Sequence, residues 1–254
     1  MGDTVVVVTG AAGRIGTYLR RVDGGLPARG WELVLVDTAD PGEAHAAIDI
    51  GDDGALDALT DAMAGAVAVV HLAAIPHEDT WDALRRTNID GTYRVLEAAR
   101  RAGVRRAVLA SSCHAVGFYP TGSVAPTDRP VRPDTLYGVS KAALEALGSL
   151  YADRHGLEVV SLRIGSCVDR PLSAFDLGIW LSPGDAVRLV DAALRGPVSG
   201  PTVVYGISAN TRGWWDLTGA RALGYAPQDD AEQFAGDVTE YTGPSLLGGD
   251  MAAS

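Results

Sequence analysis

The 254-residue sequence predicts an α/β protein in which a doubly wound parallel sheet carries a small C-terminal cap. Two observations support this fold class. Short apolar, β-branched runs alternate with segments of helical periodicity along most of the chain, and the length suits one large domain with a small appendage. Because continuous apolar strands separated by helices are typical of sheets buried on both faces, we expect the strands to be parallel.

Strands are expected in the apolar runs at residues 5–8, 32–36, 68–72, 106–110, 158–163 and 201–205, with one further short strand before Asp49. Helices are expected at residues 80–103, 136–155 and 184–195. After Arg163 the alternation loosens and prolines and glycines become frequent, which favours a small cap over the carboxyl ends of the strands. The tail at residues 246–254 is expected to be frayed.

The composition excludes several classes of partner. The formal net charge is -11 and the pI is about 4.8, so nucleic acid and anionic membranes, which require basic surfaces, are not expected. The sequence has no signal-peptide pattern and no apolar run long enough to span a bilayer, so we expect a cytoplasmic protein. Cys113 and Cys167 lack the spacing of a disulfide framework or a zinc site, and no metal is expected.

A glycine-rich turn follows the first predicted strand and opens a helix. Gly10, Gly13 and Gly16 have the spacing that permits a tight turn and lets the backbone approach a pyrophosphate at the helix N-terminus. Asp37, at the end of the second strand, is either a solvated turn residue or the acceptor for both ribose hydroxyls. In the second role its carboxylate would repel a 2′-phosphate, which favours NAD over NADP. The turn therefore predicts a dinucleotide site of the Rossmann type.

The dinucleotide site suggests a division of the chain into two parts. Residues 1–165 are expected to form the NAD-binding Rossmann domain, and residues 166–254 a smaller substrate-binding region packed on the same domain. Asp49 and Ile50 follow the short third strand and are placed to meet the adenine ring, although the same segment could be an ordinary acidic loop.

A tyrosine and the only lysine of the chain lie four residues apart, at Tyr137 and Lys141. On a helix these positions share a face, so the ammonium group could lower the pKa of the phenol and make Tyr137 a general base; alternatively the pair occurs by chance on a surface helix. Ser111 and Ser112 end a long strand, where Ser112 could polarise a substrate oxygen. Asn88 is either a surface residue or, if buried, a residue that fixes a backbone carbonyl or a water near the lysine.

Five motifs occur in one order along the first two thirds of the chain. They are the Thr-Gly-x-x-Gly-x-x-Gly turn at 9–16, His-Leu-Ala-Ala at 71–74, Asn88, Ser111-Ser112 and the Tyr-x-x-x-Lys pair. In this combination they resemble the extended short-chain dehydrogenase/reductase family, which includes the NAD-dependent epimerases and dehydratases. The resemblance implies that Tyr137 is the catalytic acid/base, that Lys141 lowers its pKa and binds the nicotinamide ribose, and that Ser112 hydrogen-bonds the reacting oxygen. Further implied cofactor contacts are Arg14, Ile15, Leu72, Ala73, Ala74, Asn88, Ser111, Ile164 and Cys167.

Later segments, at residues 112–120, 132–141, 163–167 and 204–216, narrow the resemblance to uronate dehydrogenases. This resemblance implies oxidation of galacturonate or glucuronate at the anomeric carbon, which gives an aldarolactone and NADH. The substrate contacts that it implies are Ser112, Cys113, His114, Ser166 and Phe175.

Three positions depart from the uronate dehydrogenase pattern. That group usually has serine at the position of Pro76, asparagine at that of Cys113, and a carboxylate-binding arginine at that of Phe175. Loss of the guanidinium removes the natural bidentate partner of a carboxylate. The cations that could replace it are Arg170, Arg212 and His77. If none does, the pocket would accept a neutral sugar or another secondary alcohol.

Two further functions remain open at the level of sequence. An epimerase or dehydratase of the same fold would retain its cofactor tightly and produce no net NADH. A noncatalytic NAD sensor would bind a protein partner, but retention of the chain's only lysine beside Tyr137 argues against it. The expected partners are a small sugar-like substrate and, by analogy with related enzymes in which such helices pair, further copies of the chain in a homo-oligomer.

Overall fold

The computed structural model describes residues 4–43 and 45–253, and its centre is a seven-stranded parallel sheet. The strands of this sheet are β1 Val5–Thr9, β2 Glu32–Asp37, β3 His45–Ala47, β4 Ala68–His71, β5 Arg106–Ser112, β6 Glu158–Ile164 and β9 Thr202–Gly206. Two short strands, β7 Ser166–Cys167 and β8 Trp180–Leu181, form a separate pair. The spatial order is β3-β2-β1-β4-β5-β6-β9, so the chain winds outward in both directions from β1. The predicted doubly wound sheet is therefore confirmed.

Helices cover both faces of the sheet. They are α1 Arg14–Arg20, α2 Ala55–Ala62, α3 Trp81–Leu84, α4 Gly91–Ala102, α5 Leu136–His155, α6 Asp176–Ile179, α7 Pro183–Arg195 and α8 Thr218–Ala222. Val6 and Val8 of β1 face a core formed with α1, α7 and α8, whereas Val7 faces a second core formed with α2, α4 and α5. This alternation explains why β1 is apolar throughout. Within the described residues, none of these helices has the length and apolar character needed to cross a membrane.

The helix α5 begins and ends where the sequence predicts. Thr135 is its N-cap, and the hydroxyl of Thr135 accepts a hydrogen bond of 2.9 Å from the backbone N–H of Gly138. At the other end Gly156 has a φ of 71°, a left-handed conformation that glycine adopts without strain. Both signals are local, which is why the sequence predicts them.

The helix expected at residues 80–103 contains a feature that the sequence does not indicate. A π-helical segment, Arg85–Asp90, joins α3 to α4 and widens the turn that holds Asn88. Such segments are rare and often occur beside functional sites.

The region after residue 165 belongs partly to the main sheet, because Leu162 of β6 pairs with Val204 of β9. The boundary at residue 165 stays a prediction. The expectation of a frayed tail is wrong for its first residues. Leu247 is buried, its N–H donates to the carbonyl of Tyr119 at 2.8 Å, and the N–H of Gly248 donates to the carbonyl of Gly117 at 3.0 Å. The apolar side chain of Leu247 packs into a buried apolar cluster, a contact that the sequence alone could not show.

Candidate active site

A cleft of about 860 Å³ opens at the carboxyl ends of the central strands. It lies where the order of strands reverses beside β1, the position at which doubly wound sheets bind ligands. All but one of the predicted cofactor residues line it: Gly10, Gly13, Arg14, Ile15, Gly16, Asp37, Asp49, Ile50, Leu72, Ala73, Ala74, Ser111, Tyr137, Lys141, Ile164 and Cys167. The exception is Asn88.

The glycines of the first turn are required by close backbone packing. Gly10 has a φ of 73°, and a Cβ there would lie 2.5 Å from the backbone nitrogen of Ala73. A Cβ on Gly16 would lie 2.5 Å from the carbonyl oxygen of Gly10, whereas one on Gly13 would meet only that same oxygen, at 3.2 Å. The turn thus leaves an open strip of backbone on the cleft side, which fits a bound pyrophosphate.

Asp37 lies at the end of β2 beside this turn. Its Oδ2 accepts a hydrogen bond from the N–H of Ala12 and its Oδ1 accepts one from the N–H of Ala39, both at 2.9 Å. A carboxylate oxygen can accept more than one hydrogen bond, so each retains capacity for a ribose hydroxyl. A 2′-phosphate would have to approach this negative charge, so the arrangement fits NAD better than NADP.

The helix α5 and the end of β5 bring the predicted catalytic groups to the cleft. Tyr137 and Lys141 lie on one face of α5, and both side chains are almost completely buried. The Nζ of Lys141 lies 5.6 Å from the centre of the Tyr137 ring and donates a hydrogen bond of 2.8 Å to the carbonyl of Ala110. Ser112 ends β5 and also lines the cleft.

Burial controls the protonation of this pair. Burial raises the pKa of Tyr137 to about 12, and a hydrogen bond with Ser112 opposes the rise. Burial also lowers the pKa of Lys141 to about 8. Burial therefore dominates the pKa of Tyr137, and in this environment the phenol keeps its proton at neutral pH. A lowering of this pKa by Lys141 stays a prediction.

Glu78 is a residue beside the start of α5 that the sequence analysis missed. Its carboxylate accepts hydrogen bonds from the backbone N–H groups of Leu136, at 3.1 Å, and Tyr137, at 2.9 Å. These N–H groups have no partner inside α5, and a negative charge is favourable at a helix N-terminus. Glu78 thereby fixes the point at which Tyr137 enters the cleft. It lies 59 positions from Tyr137 along the chain, so no local pattern indicates the contact.

Some cleft residues were also left unassigned by the sequence analysis because they have small or apolar side chains. They are Ala12, Val36, Thr38, Ala39, Ile48, Thr87, Ala110 and Gly165. Most are direct neighbours of assigned residues, which is the signal that could have identified them.

Asn88 is buried behind the cleft rather than on its wall. Its Oδ1 accepts from the N–H of Ile75 at 2.8 Å, and its Nδ2 donates to the carbonyl of Ile75 and to the hydroxyl of Ser140, both at 3.0 Å. The side chain therefore ties the loop after β4 to α5. This matches the alternative in which a buried Asn88 fixes a backbone carbonyl, and a direct contact with the cofactor stays a prediction.

Ser111 takes part in a buried ionic network. Its hydroxyl donates to a carboxylate oxygen of Glu145 at 2.6 Å, and the same carboxylate accepts two hydrogen bonds from the guanidinium of Arg163, at 2.9 and 2.8 Å. Glu145 lies one turn beyond Lys141 on the same face of α5, a spacing that could have identified it. The network joins α5 to the ends of β5 and β6.

The predicted substrate residues do not all reach the cleft. Only Ser112 lines it; Cys113, His114, Ser166 and Phe175 do not. The thiol of Cys113 is buried in an apolar cluster, with its Sγ 3.6 Å from the carbonyl oxygen of Arg163. The Phe175 ring packs against the rings of Trp214 and Tyr241, because an apolar ring gains more from aromatic contacts than from a wet cleft. The contacts of these four residues with a substrate stay predictions.

Of the three cations that could replace the missing arginine, one lies at the cleft. His77 lines it. Arg170 is paired with Asp237 at 3.0 Å, and Arg212 forms two hydrogen bonds with Glu232, at 2.7 and 2.9 Å. Both arginines are therefore already engaged by carboxylates.

Comparisons with known proteins agree with this geometry. Residues 6–168 match the NAD dependent epimerase/dehydratase family. The chain is 38% identical over 243 residues to the uronate dehydrogenase of Pseudomonas syringae pv. tomato, which covers 94% of this chain and 87% of that protein.

Two solved structures are also similar along nearly the whole chain. A mutant uronate dehydrogenase from Agrobacterium tumefaciens, complexed with NAD, has a TM-score of 0.88 at 36% identity and covers 99% of this chain and 97% of that chain. A glucuronic acid dehydrogenase from Chromohalobacter salexigens has a TM-score of 0.89 at 36% identity, with the same two coverages.

Proposed function

The chain belongs to the NAD dependent epimerase/dehydratase family, and we propose that this NAD-dependent dehydrogenase oxidises a hexuronate at its anomeric carbon, giving an aldarolactone. The observation that carries the proposal is the meeting of Tyr137, Lys141 and Ser112 in the cleft that the glycine turn and Asp37 also line. Similarity to uronate dehydrogenases along nearly the whole chain supports the choice of substrate class.

In the proposed reaction Ser112 donates a hydrogen bond to the reacting oxygen and orients it. Tyr137 removes the hydroxyl proton as general base. Bound NAD would supply the hydride acceptor, and before the transfer its nicotinamide would place a positive charge near the phenol. Lys141 stabilises the phenolate from the same low-dielectric site, and its bond to the carbonyl of Ala110 holds the ammonium in place.

The carboxylate of the substrate needs a different partner in this chain, because Phe175 stands where uronate dehydrogenases usually have an arginine. His77 supports the proposal, because its side chain lines the cleft beside Pro76. The Nδ1 of His77 lies 3.0 Å from the carbonyl oxygen of Glu78, which orients the ring. We propose His77 as the group that meets the carboxylate.

The deciding experiment follows NADH formation from NAD by the purified protein with six sugars: galacturonate, glucuronate, galactose, glucose, xylose and arabinose. The proposal expects a clear preference for the two uronates. Preference for the neutral sugars would replace the substrate class and keep the dehydrogenase chemistry. Tightly retained cofactor without net NADH would instead indicate an epimerase or dehydratase, a function that dehydrogenase relatives spanning 94% or more of the chain do not favour.

We also propose that the protein is a cytoplasmic homo-oligomer. Apolar side chains that remain exposed on α3, α4 and α5 support association of copies through these helices. Cys113 and Cys167 are both free, buried thiols, which suits a reducing compartment.

A further inference from the structure

His114 and Asp134 form a pair beside the catalytic groups, and the proposed reaction gives Asp134 no role. The Nδ1 of His114 lies 2.9 Å from Oδ2 and 3.1 Å from Oδ1 of Asp134. The carboxylate is 0% exposed, whereas the imidazole side chain is 19% exposed. His114 also touches the reacting groups, since its backbone N–H donates to the hydroxyl of Ser112 at 3.2 Å and its ring packs edge-on against Tyr137 at 5.8 Å.

The burial of Asp134 determines which nitrogen of His114 carries a proton. A buried carboxylate needs hydrogen-bond donors, because an unpaired charge in the interior is costly. The side-chain donors that the described residues offer it are the Nδ1 of His114 and the hydroxyl of Thr135, at 3.2 Å. The proton of a neutral His114 therefore resides on Nδ1, and Nε2 keeps a free lone pair. Nε2 takes no part in the hydrogen bonds recorded for the described residues.

Two glycines enclose the carboxylate. A Cβ at Gly117 or at Gly248 would overlap the carboxylate oxygens of Asp134, and the N–H of Gly248 donates to the carbonyl of Gly117 at 3.0 Å. Gly248 belongs to residues 245–249, which we name the C-terminal strap. The strap pairs with residues 117–121, so the end of the chain closes the space around Asp134.

We propose that Asp134, enclosed by the C-terminal strap, is a positioning residue that fixes the proton of His114 on Nδ1, so that Nε2 is left as the acceptor for the sugar contact that the family resemblance implies for His114. The proposal rests on the proposed function, since it assigns a contact within that same site. It gives the strap an indirect part in recognition of the substrate, through Asp134 and His114.

The test has one readout that needs no substrate. In protein labelled with ¹⁵N-histidine, long-range ¹H–¹⁵N NMR distinguishes the two imidazole tautomers, and a His114→Asn variant identifies the signal among the five histidines. We expect the Nδ1–H tautomer in the unaltered protein. In an Asp134→Asn variant the Thr135 hydroxyl, which now donates to Oδ1 at 3.2 Å, should hold the amide oxygen, so the amide N–H faces Nδ1 and should shift the signal to the Nε2–H tautomer. Retention of the Nδ1–H tautomer in Asp134→Asn would overturn the proposal.

The kinetic readout separates positioning from simple stability. Asp134→Asn should raise KM for the preferred hexuronate about tenfold, the effect of losing about one hydrogen bond, with a smaller change in kcat and unchanged affinity for NAD. In a His114→Asn background the same substitution should have no further effect on KM. An equal rise in both backgrounds would mean that Asp134 is merely structural and would overturn the proposal.

A second variant covers the case in which Asp134→Asn does not fold. Gly248→Ala should displace the carboxylate and reproduce both the tautomer shift and the rise in KM. Gly236→Ala is the matched control, because a Cβ there meets no atom within 4 Å. If Gly248→Ala behaves like this control, the role of the strap is overturned. If the unaltered protein oxidises no hexuronate, the proposed function fails, while the tautomer measurement still decides the pairing of Asp134 with His114.

Discussion

The reactivity of Tyr137 depends on how its buried phenol loses a proton. Burial holds its pKa near 12, so the group needs Ser112, Lys141 and the bound cofactor to act as a base at neutral pH. Tyr137→Phe removes the proton acceptor and little else. We expect turnover to fall at least about a thousandfold, while affinity for NAD, measured by fluorescence titration, stays within about threefold.

The matched control for this substitution is Tyr93→Phe, because Tyr93 is exposed on α4, away from the cleft. It should keep full activity. Substantial turnover by Tyr137→Phe would show that another group removes the proton, and a large loss in Tyr93→Phe would show that the assay reports on folding.

We expect Lys141 to lower the free energy of unfolding, because its position in the site buries its charge. Burial lowers its pKa from 10.5 to about 8, so below pH 8 the folded protein buries a charge that water solvates in the unfolded chain. Between these two pKa values the unfolded chain binds more protons than the folded one, so this group makes the folded state more stable as the pH rises. At neutral pH, Lys141→Met should therefore raise the free energy of unfolding by roughly 1–3 kcal/mol while abolishing activity.

Urea unfolding at several pH values measures this effect. The advantage of Lys141→Met should shrink as the pH rises from 8 to 10.5, because the folded protein then buries a neutral amine and the unfolded lysine loses its proton more easily as the pH approaches 10.5. A variant less stable than the unaltered protein at neutral pH would mean that the bond to the carbonyl of Ala110 outweighs the cost of burying the charge.

Residues within local motifs could be predicted from the sequence, but residues linked only through the fold could not. Tyr137 and Lys141 share a helical face, and the glycines of the first turn share a loop, so their spacing alone indicates contact. Glu78 and Asp134 each act on a group on a different segment of the chain. Phe175 is a third case: its ring packs against Tyr241 in an aromatic cluster, a contact that the sequence does not indicate.

At the scale of elements, the π-helical segment links the loop after β4 to α5 behind the cleft. The buried Asn88 satisfies both backbone groups of the half-buried Ile75 and bonds the hydroxyl of the buried Ser140. Asn88→Ala would remove the partner of both backbone groups of Ile75, whereas the Ser140 hydroxyl would still donate to the carbonyl of Tyr137. We therefore expect a loss of about 2–3 kcal/mol in the free energy of unfolding. The loop after β4 should also loosen, lowering kcat/KM about tenfold.

Chemical denaturation and steady-state kinetics test the role of Asn88. The control is Thr80→Ala, which removes the N-cap of α3 at the exposed start of the same helical stretch and should cost only about 1 kcal/mol. Equal losses in the two variants would show that the interior bonds of Asn88 add nothing beyond ordinary helix capping.

Elements with local signals at their ends could be placed from the sequence, whereas those set by distant contacts could not. Thr135 and Gly156 define α5 within one turn of either end. The π-helical segment depends on Ile75 and Ser140, which belong to other elements, and the strap depends on pairing with residues 117–121. Tertiary contacts, rather than propensity, decide such segments.

At the scale of the whole molecule, the alternation of apolar runs and helices was enough to predict the doubly wound sheet. Each central strand is buried on both faces, so the sequence shows it as a continuous apolar run. The sequence could not show that β9 joins the sheet at its far edge. An apolar run predicts that a strand forms but does not identify the strand with which it pairs.

The outer surface of α3, α4 and α5 carries the last prediction. Trp81, Tyr93 and Leu150 are 46%, 48% and 47% exposed, on helices that pack against one another. Large apolar side chains exposed on neighbouring helices favour association, and a two-fold contact is the commonest arrangement for identical chains. Size-exclusion chromatography with light scattering should therefore detect a dimer, and Leu150→Glu should convert it to a monomer because each interface would bury two carboxylates. Leu172→Glu, at an equally apolar side chain 70% exposed on the cap, should leave the dimer intact. A monomeric unaltered protein, or equal dissociation by both variants, would show that these helices do not form the interface.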